Sequence, residues 1–475
     1  MNILALTGKL AQEEVKKYVE NVYVVDIDVA AFISPSDVKD IDLSGYNLVF
    51  VPGMAKGDWA KLEEEKGVKI RLGPIHASDL KTVMENIRQV EFSHTVPACK
   101  LLNISKAHEN TSMVDSLQDS VLDISKIRIG GNTRMKVVAE VVDATEITTD
   151  ELVSKLQYYE SEGADIIDLG IPVEHSVEDV KRSVKTAIGH CNTPISIDTF
   201  NKKAIAVGVE AGADMVMSIS GENLDALDSL GDAAVVVVDY DINNLIGLIE
   251  KVKQKTDRII ADCLLEPQNI SGSLYRYQQF RKTDGETPVL MGVGNVTELS
   301  DADSLGINAT LAFIAEELSI NMLFTTEASL KTRGCIRELR TASYMSKAAK
   351  LRNTPPKDLG IDLLSLKEKN SLRTCGPPDD YIQAFEAKFV RDPYGDFRIW
   401  IHNGKIVCSH ERLTVVGDDA KSISDTVVEN NLVSRSDHAA YLGRELKKAE
   451  IALKLGKNYV QDRELSFGIY SSTEL

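Results

Sequence analysis

Between residues 135 and 352 the sequence repeats one pattern eight times, a short apolar run followed by an amphipathic segment. The apolar runs are short and continuous, as expected for strands that are covered on both faces. Eight strand–helix units in a segment of this length fit a closed parallel barrel better than an open sheet. The predicted strands are 137–142, 165–169, 195–197, 215–217, 234–238, 258–261, 289–291 and 321–324.

The barrel segment is flanked on both sides, and a chain of 475 residues is too long for one hydrophobic core. We therefore predict an α/β protein of three domains, with a central (β/α)8 TIM barrel over 135–352. Residues 1–134 alternate strand-like and helical runs, which predicts a small Rossmann- or flavodoxin-like α/β domain and a polar connector. Residues 353–475 predict an α+β module.

The predicted C-terminal module begins after a proline-rich break at Asn353-Thr-Pro-Pro-Lys357, with a second break at 376–378. A hairpin is expected across an Asn-Gly turn at Asn403-Gly404. A long helix is expected over 436–456, where apolar residues recur along one face.

Charge and cysteine content limit the function classes. The formal net charge is −18, and nucleic acids and anionic membranes both need a basic protein face, so we expect neither as a partner. No apolar stretch approaches the roughly 20 residues that span a bilayer, and the N-terminus lacks a signal-peptide pattern. The six cysteines form no C-x-x-C pair, which predicts reduced thiols in a cytoplasmic protein.

Polar side chains close most of the predicted barrel strands. In a parallel barrel these strand ends meet on one face, where barrel enzymes carry their active sites. Buried carboxylates are costly unless they contact N–H donors, a metal or neighbouring groups, which favours a binding site. Because aspartate also caps helices, a set of helix caps is the alternative interpretation. The residues are Asp143, Asp168, Asp198, Ser218, Asp239, Asp262 and Asn295.

The composition of these strand ends suggests a ligand class. A phosphate site would be expected to use Lys or Arg near the last strands, and the loop Gly292–Thr297 offers backbone donors but no cation. A carboxylate can accept paired hydrogen bonds from a ring N–H and an exocyclic NH2. The pocket therefore suits a flat heterocycle with such an edge, for which a pterin is the candidate.

Two stretches support this ligand class by resemblance. Gly163-Ala-Asp-Ile-Ile-Asp-Leu-Gly170 and Pro194-Ile-Ser-Ile-Asp-Thr199 resemble the second and third strands of dihydropteroate synthases. The whole chain resembles archaeal dihydropteroate synthase-related proteins, which implies a pterin-binding barrel. It departs from the synthases after strand three: Met291–Asn295 replaces a Ser-Arg-Lys run, and Ser218 and Ser220 stand where the synthases have an Asn that helps hold the diphosphate and magnesium.

The same positions resemble methyltetrahydrofolate:corrinoid methyltransferases. Asp198 is followed by Asn201, strand six carries Asp262, and strand seven ends in Gly292-Val-Gly-Asn-Val296. This resemblance implies that Asp262 and Asp168 hold the pterin edge and that Asn295 faces ring N5, so Asn295 and Asp262 are the expected catalytic residues. The expected pterin-binding residues are Asp143, Asp168, Asp198, Asn201, Ser218, Asp262 and Asn295.

Three functions remain open. The first is methyl transfer from a methyl-tetrahydropterin of the tetrahydromethanopterin or folate type, in which the Asn295 amide assists departure from N5. The acceptor would be a thiol or a corrinoid on another protein, because the corrinoid-binding pattern Asp-x-His-x-x-Gly is absent. The second is synthase-type condensation of a hydroxymethyl-dihydropterin diphosphate with an arylamine, the one case in which magnesium is expected. The third is a non-catalytic binding barrel. We expect a homodimer and no resident metal.

Overall fold

The computed structural model describes residues 1–369 and 380–471 and forms two compact units, Met1–Lys367 and Glu368–Leu475. The second predicted proline break, at 376–378, lies outside the described residues. Residues following the first break still pack in the first unit, where Leu359 is buried beside Val114 and Met345. The division into three domains remains a prediction.

The first unit opens with a four-stranded parallel sheet in the order β2-β1-β3-β4. Its turn glycines serve close backbone packing: a Cβ on Gly53 would lie 2.5 Å from the carbonyl oxygen of Gly73. The strands are β1 (Ile3–Thr7), β2 (Asn21–Val24), β3 (Leu48–Val51) and β4 (Lys69–Leu72). The helices are α1 (Gln12–Val15), α2 (Pro35–Val38), α3 (Trp59–Lys66) and α4 (Leu80–Glu85).

The segment before residue 134, which the sequence predicts as a polar connector, contains regular structure. This region forms helix α5 (Ala98–Asp115) and a hairpin of β5 (Leu122–Ile124) and β6 (Ile127–Ile129). Short antiparallel strands alternate apolar and polar residues, and here the buried positions Leu122, Ile124 and Ile129 belong to the same core as the interior of the barrel. The hairpin therefore closes the amino end of the barrel.

The prediction of a closed eight-stranded parallel barrel is confirmed, in the order β10-β11-β12-β13-β14-β7-β8-β9. A 3-10 helix, Leu224–Ser229, replaces the regular helix expected after the fourth strand. The barrel strands are β7 (Lys136–Val141), β8 (Ile166–Gly170), β9 (Ile195–Asp198), β10 (Met215–Ile219), β11 (Ala234–Val238), β12 (Ile259–Asp262), β13 (Val289–Gly292) and β14 (Met322–Thr326). The surrounding helices are α6 (Thr149–Glu162), α7 (Val177–His190), α8 (Lys202–Ala211), α9 (Ile242–Val252), α10 (Ile270–Thr283), α11 (Gly294–Glu298), α12 (Ser304–Glu317) and α13 (Cys335–Arg352).

Side chains alternate between two cores along each barrel strand, as the pleat requires. One set packs against the helices, and the other fills the barrel interior. Interior residues include Val138, Ile166, Met217 and Ile260. Stepping two residues toward the carboxyl end from an interior position gives the next interior position, and this rule determines which strand-end polar groups face inward.

The second unit is built on a three-stranded antiparallel sheet, β15 (Phe397–His402), β16 (Lys405–His410) and β17 (Thr414–Gly417). The expected Asn-Gly turn is present, with positive φ at both Asn403 and Gly404. Helices α14 (Ala420–Glu429) and α15 (Ser436–Leu455) share a buried core with the sheet. Within the described residues no helix is long and apolar enough to cross a membrane.

Candidate active site at the carboxyl end of the barrel

Four carboxyl side chains lie on interior positions at the carboxyl end of the barrel: Glu140, Asp168, Asp198 and Asp262. Glu140, Asp168 and Asp262 each follow an interior apolar residue by two positions. Oxygens of Glu140, Asp168 and Asp198 all lie within 4.8 Å of one another. Three negative charges at this spacing repel strongly away from bulk water, so the cluster must share a proton or meet a cation or N–H donors.

Asp168 is the most buried member of this cluster, with no exposed surface. The Ser196 hydroxyl donates a hydrogen bond to its Oδ1. Its Oδ2 is buried and has no hydrogen-bond partner in the described structure. Since buried polar atoms are nearly always bonded, this oxygen is a position where a ligand donor is expected.

The pKa values of the cluster are raised. Burial raises the pKa of Glu140 to about 7, helped by the charges of Asp198, Glu298 and Asp143. Burial also raises the pKa of Asp168 well above its ordinary value, with Asp198 and Glu140 adding to the effect. Near neutral pH the cluster therefore retains at least part of its protons.

Asp262 lies across the interior on β12 and is 8% exposed. Its Oδ1 accepts hydrogen bonds from the backbone N–H of Leu264 (2.8 Å) and the hydroxyl of Tyr277 (3.0 Å). Burial still raises its pKa to about 6, against the effect of these two hydrogen bonds. The two donors fix one oxygen and leave the other as an acceptor in the site.

Asn295 and Ser218 border the same end of the barrel and are both partly exposed. The Asn295 Nδ2 donates to the carbonyl oxygen of Leu265 at 3.0 Å, which fixes the orientation of the amide. Burial raises the pKa of Asp198, at the end of the neighbouring strand β9, and the nearby Ser218 hydroxyl acts against this effect. The Asn295 amide is thus held by the loop that follows β12.

Asp143 and Asn201 are not brought into the interior. Asp143 is exposed beyond the end of β7. Asn201 is exposed and caps α8, because its Oδ1 accepts from the backbone N–H groups of Lys203 (2.9 Å) and Ala204 (3.3 Å). The cap interpretation thus accounts for the conformation of Asn201, and its contact with a pterin stays a prediction.

Backbone strain marks the same rim. Asp143, Ser218 and Leu264 adopt positive φ values of 50°, 65° and 58° where strands β7, β10 and β12 end. This region is costly for residues other than glycine, and such strain concentrates at functional sites. Sequence patterns do not reveal it, since none of the three is a glycine.

Three of the cations near the rim are paired with carboxylates. Arg276 contacts Glu266 at 2.7 Å and also donates to the carbonyl oxygens of Cys263 and Leu264. Lys202 pairs with Asp225 at 3.1 Å, and Lys331 pairs with Asp301 at 3.0 Å. The interior carboxyls thus face the ligand space without one of these cations as a direct partner.

Sequence reasoning singled out Asp143, which follows the predicted strand 137–142, and missed Glu140, which lies within that strand. The signal was available in the alternation of the strand. Val138 faces the interior, so the residue two positions later faces the same way. A charged residue on an interior barrel position is unusual enough to be singled out.

Comparison with known proteins agrees with this geometry. The pterin binding enzyme family matches residues 141–263, and the family PterinBD-DUF4346 matches residues 391–462. The uncharacterized protein MJ0107 of Methanocaldococcus jannaschii is 35% identical over 526 aligned positions, covering 98% of this chain and 99% of the relative.

Solved structures with a similar fold include two dihydropteroate synthases. The Xanthomonas albilineans enzyme in complex with 7,8-dihydropteroate is 20% identical, with a TM-score of 0.39, covering 46% of this chain and 94% of that chain. The Yersinia pestis enzyme with a pterine–sulfa conjugate is 17% identical, with a TM-score of 0.40, covering 48% and 99%.

The chain thus belongs to the class of closed (β/α)8 barrel proteins, and residues 141–263 of its barrel match the pterin binding enzyme family. Within that class, the chain belongs to the family of the Methanocaldococcus jannaschii protein MJ0107.

Proposed function

We propose that the barrel binds a reduced pterin of the tetrahydromethanopterin or folate type and transfers a methyl group from its N5 to an acceptor nucleophile. The observation that carries this proposal is the buried, unpartnered Oδ2 of Asp168. A pterin edge offers a ring N–H beside an exocyclic NH2, and these donors can satisfy carboxylate oxygens that protein groups leave free.

Asp168 and Asp262 are the residues we assign to the pterin edge. Both are buried, and each is held by a hydroxyl donor, Ser196 for Asp168 and Tyr277 for Asp262. A flat ring between them would exclude water from the interior carboxyls and strengthen each hydrogen bond. We place Asp198 on β9 and Ser218 on β10 in the wall on that side of the site.

Asn295 is the residue we assign to ring N5. An amide can donate to N5 or accept from N5–H, so it stabilises the amine as the methyl group departs without needing a tuned pKa. The Leu265 carbonyl holds one N–H of this amide at 3.0 Å. The other N–H and the amide oxygen remain for the ligand.

Methyl transfer is favoured over the synthase reaction by the charges around the site. A diphosphate carries several negative charges and needs cations, whereas the rim cations Lys202, Arg276 and Lys331 are paired with carboxylates. Carboxyls with raised pKa values can supply the proton that N5 requires, and those of them that ionise repel a diphosphate. The acceptor we expect is a thiolate or a reduced corrinoid on another protein, and the homodimer and cytoplasmic location remain predictions.

The test is calorimetric titration of the full chain with methyl-tetrahydromethanopterin, methyl-tetrahydrofolate and, separately, hydroxymethyl-dihydropterin diphosphate with magnesium. We expect binding of a methyl-pterin that is lost in Asp262→Ala. The matched control is Asp239→Asn, because Asp239 ends the neighbouring strand β11 and its Oδ1 accepts only from a local backbone N–H in its own loop. Binding of the diphosphate alone would replace the proposal with the synthase, and absence of binding to all three would leave the non-catalytic barrel.

A further inference from the structure

The proposed methyl transfer requires a proton donor, and no residue has yet been assigned to that role. When the methyl group leaves a tetrahydropterin, the electron pair of the broken bond stays on N5, and a proton must reach that nitrogen. Asn295 can hydrogen-bond to N5, but a neutral amide does not give up a proton at neutral pH. An acid within the site is therefore needed, and this inference rests on the proposed function.

The carboxyl of Glu140 is available to act as this acid. Its carboxylate has no hydrogen-bond or ion-pair partner among residues 1–369 and 380–471, and the residue is only partly exposed. Asp262 accepts two hydrogen bonds on one oxygen and Asp168 accepts one, and both are assigned to the pterin edge. The Glu140 carboxyl is partly exposed and is not held in this way.

The fold makes room for this carboxyl. A Cβ on Gly170 would lie 2.5 Å from the Glu140 Oε1, so the glycine at the end of β8 leaves the space that the carboxyl occupies. Any larger residue at position 170 would push the carboxyl aside.

Glu140 also borders the part of the site that contains Asn295. The charge of Glu298 acts on Glu140, and Glu298 lies on α11, the short helix that carries Asn295. On its other side Glu140 meets Asp168 and Asp198. The titratable groups that face Glu140 are thus Asp168 on β8, Asp198 on β9, Glu298 on α11, Asp143 beyond β7 and the phenol of Tyr159 on α6.

We propose that Glu140 is the proton donor of this site and passes its proton to ring N5 beside Asn295 before the methyl group leaves, so that N5 then carries a positive charge. The acceptor nucleophile, a thiolate or reduced corrinoid, contributes the electron pair of the new bond to the methyl carbon. The N5–carbon bond of the protonated pterin then breaks, and its electron pair remains on N5, which becomes a neutral N–H amine. Glu140 becomes a carboxylate and regains a proton from water through its exposed side.

The acidic surroundings suit this role. The neighbours named above are carboxyls and a neutral phenol, so they stabilise the protonated form of Glu140. Once Glu140 is ionised beside a protonated N5, the opposite charges attract each other. Glu140 thus holds a proton in the free protein and stabilises the protonated pterin in the complex.

The experiment follows the ultraviolet absorption of bound methyl-tetrahydromethanopterin from pH 5 to 9, since this band changes when N5 takes a proton. The proteins are wild type, Glu140→Gln, Glu140→Asp and Glu298→Gln. We expect Glu140→Gln to lower the pH midpoint for N5 protonation in the complex by about one unit or more, since an isosteric amide cannot ionise. The dissociation constant should change less than about threefold, and Glu140→Asp should recover part of the shift.

A second readout uses free cob(I)alamin as the acceptor probe in single-turnover transfer. General acid catalysis contributes about 10²- to 10⁴-fold, so Glu140→Gln should slow transfer in that range. Glu298→Gln removes a nearby negative charge and should lower the pH midpoint by less than half a unit.

The possible outcomes separate the two proposals. Failure of wild-type protein to bind either methyl-pterin overturns the proposed function together with this inference. Normal binding with an unchanged pH midpoint in Glu140→Gln overturns the role of Glu140 alone. Loss of pterin binding in Glu140→Gln, or binding by wild type only when magnesium is added, also overturns proton donation and makes Glu140 a ligand-holding residue.

Discussion

Two buried aspartates three residues apart show how differently the two ends of the barrel are built. Asp165, just before β8, is 6% exposed and binds Arg134 through both oxygens at 2.6 and 2.9 Å. It also accepts from the backbone N–H of Val137 (2.9 Å) and from Arg340 (3.3 Å). Asp168, within β8, has the Ser196 hydroxyl on one oxygen and no partner on the other.

The pKa directions of these two groups are opposite. Burial alone would raise the pKa of Asp165, but the charge and hydrogen bonds of Arg134 outweigh burial and hold the pKa below its ordinary value. Burial and the charges of Asp198 and Glu140 raise the pKa of Asp168. A structural carboxylate in this barrel is fully paired by the protein, whereas one in the candidate site is left with bonding capacity for a ligand or a proton.

The largest change in the free energy of unfolding is expected from a substitution at the amino end of the barrel. Asp165→Asn removes one partner of a buried ion pair and leaves Arg134 without its counter-charge, which should lower the free energy of unfolding by about 3–5 kcal/mol at pH 7. Urea unfolding followed by circular dichroism measures this change. Arg340→Ala is the control, because Arg340 is a more exposed and more distant partner and should cost less than about 1 kcal/mol. Equal losses of stability in Asp165→Asn and Arg340→Ala would contradict the dominant role of Arg134 as the partner of Asp165.

The second effect concerns pH. The pKa of Glu140 is raised to about 7 from an ordinary value of 4.5, so the folded state holds more protons than the unfolded state between these values. The stability from this group is fully present below about pH 4.5 and is lost as pH rises through about 7. The loss should reach up to about 3 kcal/mol, and Glu140→Gln should remove it. The contribution of Asp165 to stability has the opposite pH dependence, since it is lost as pH falls toward the lowered pKa of this carboxyl.

Urea unfolding at a series of pH values from 4 to 8 measures both behaviours. Glu140→Gln should flatten the decline above pH 4.5 and leave the acid side unchanged. A wild-type stability that rises steadily from pH 5 to 7.5, with the same curve in Glu140→Gln, would show that Glu140 is not a proton-retaining group.

A smaller effect is expected from Asp168→Asn. An amide keeps the shape of the protonated carboxyl, can still accept from Ser196, and can donate to the neighbouring carboxyls of the cluster. The free energy of unfolding should therefore change by less than about 1 kcal/mol, in contrast to Asp165→Asn. Pterin binding measured by calorimetry should nevertheless be lost. A loss of stability comparable to that of Asp165→Asn would mean that Asp168 is structural.

The smallest effect on stability is expected from Gly170→Ala. The added methyl group would meet the flexible end of Glu140 rather than backbone, so rotation of that side chain should limit the cost to less than about 1 kcal/mol. The pH dependence assigned to Glu140 should weaken because its carboxyl moves toward solvent. Gly189→Ala, where a Cβ meets nothing within 4 Å, is the control. An unchanged pH dependence of stability in Gly170→Ala would show that the Glu140 carboxyl does not lie against Gly170.

Some of the site was accessible from the sequence, because its residues obey a local rule. Asp168, Asp198 and Asp262 each lie at or near the end of a short apolar run, and parallel barrel strands gather their carboxyl ends on one face. The structure brings these three together with Glu140. Asp143 and Asn201 follow strands in the same way, yet both are exposed, since residues beyond a strand end are no longer held by its alternation.

The sequence by itself determined the barrel, because eight apolar runs with amphipathic segments between them can bury their surfaces in few other ways. It also determined the Asn403-Gly404 hairpin, since that turn requires residues that tolerate positive φ. Only the tertiary structure decided that the hairpin β5–β6 closes the barrel, that Arg134 neutralises Asp165, and that the second oxygen of Asp168 has no partner. These facts depend on which groups from distant parts of the chain come within a few ångströms, and that proximity is not encoded in any local pattern.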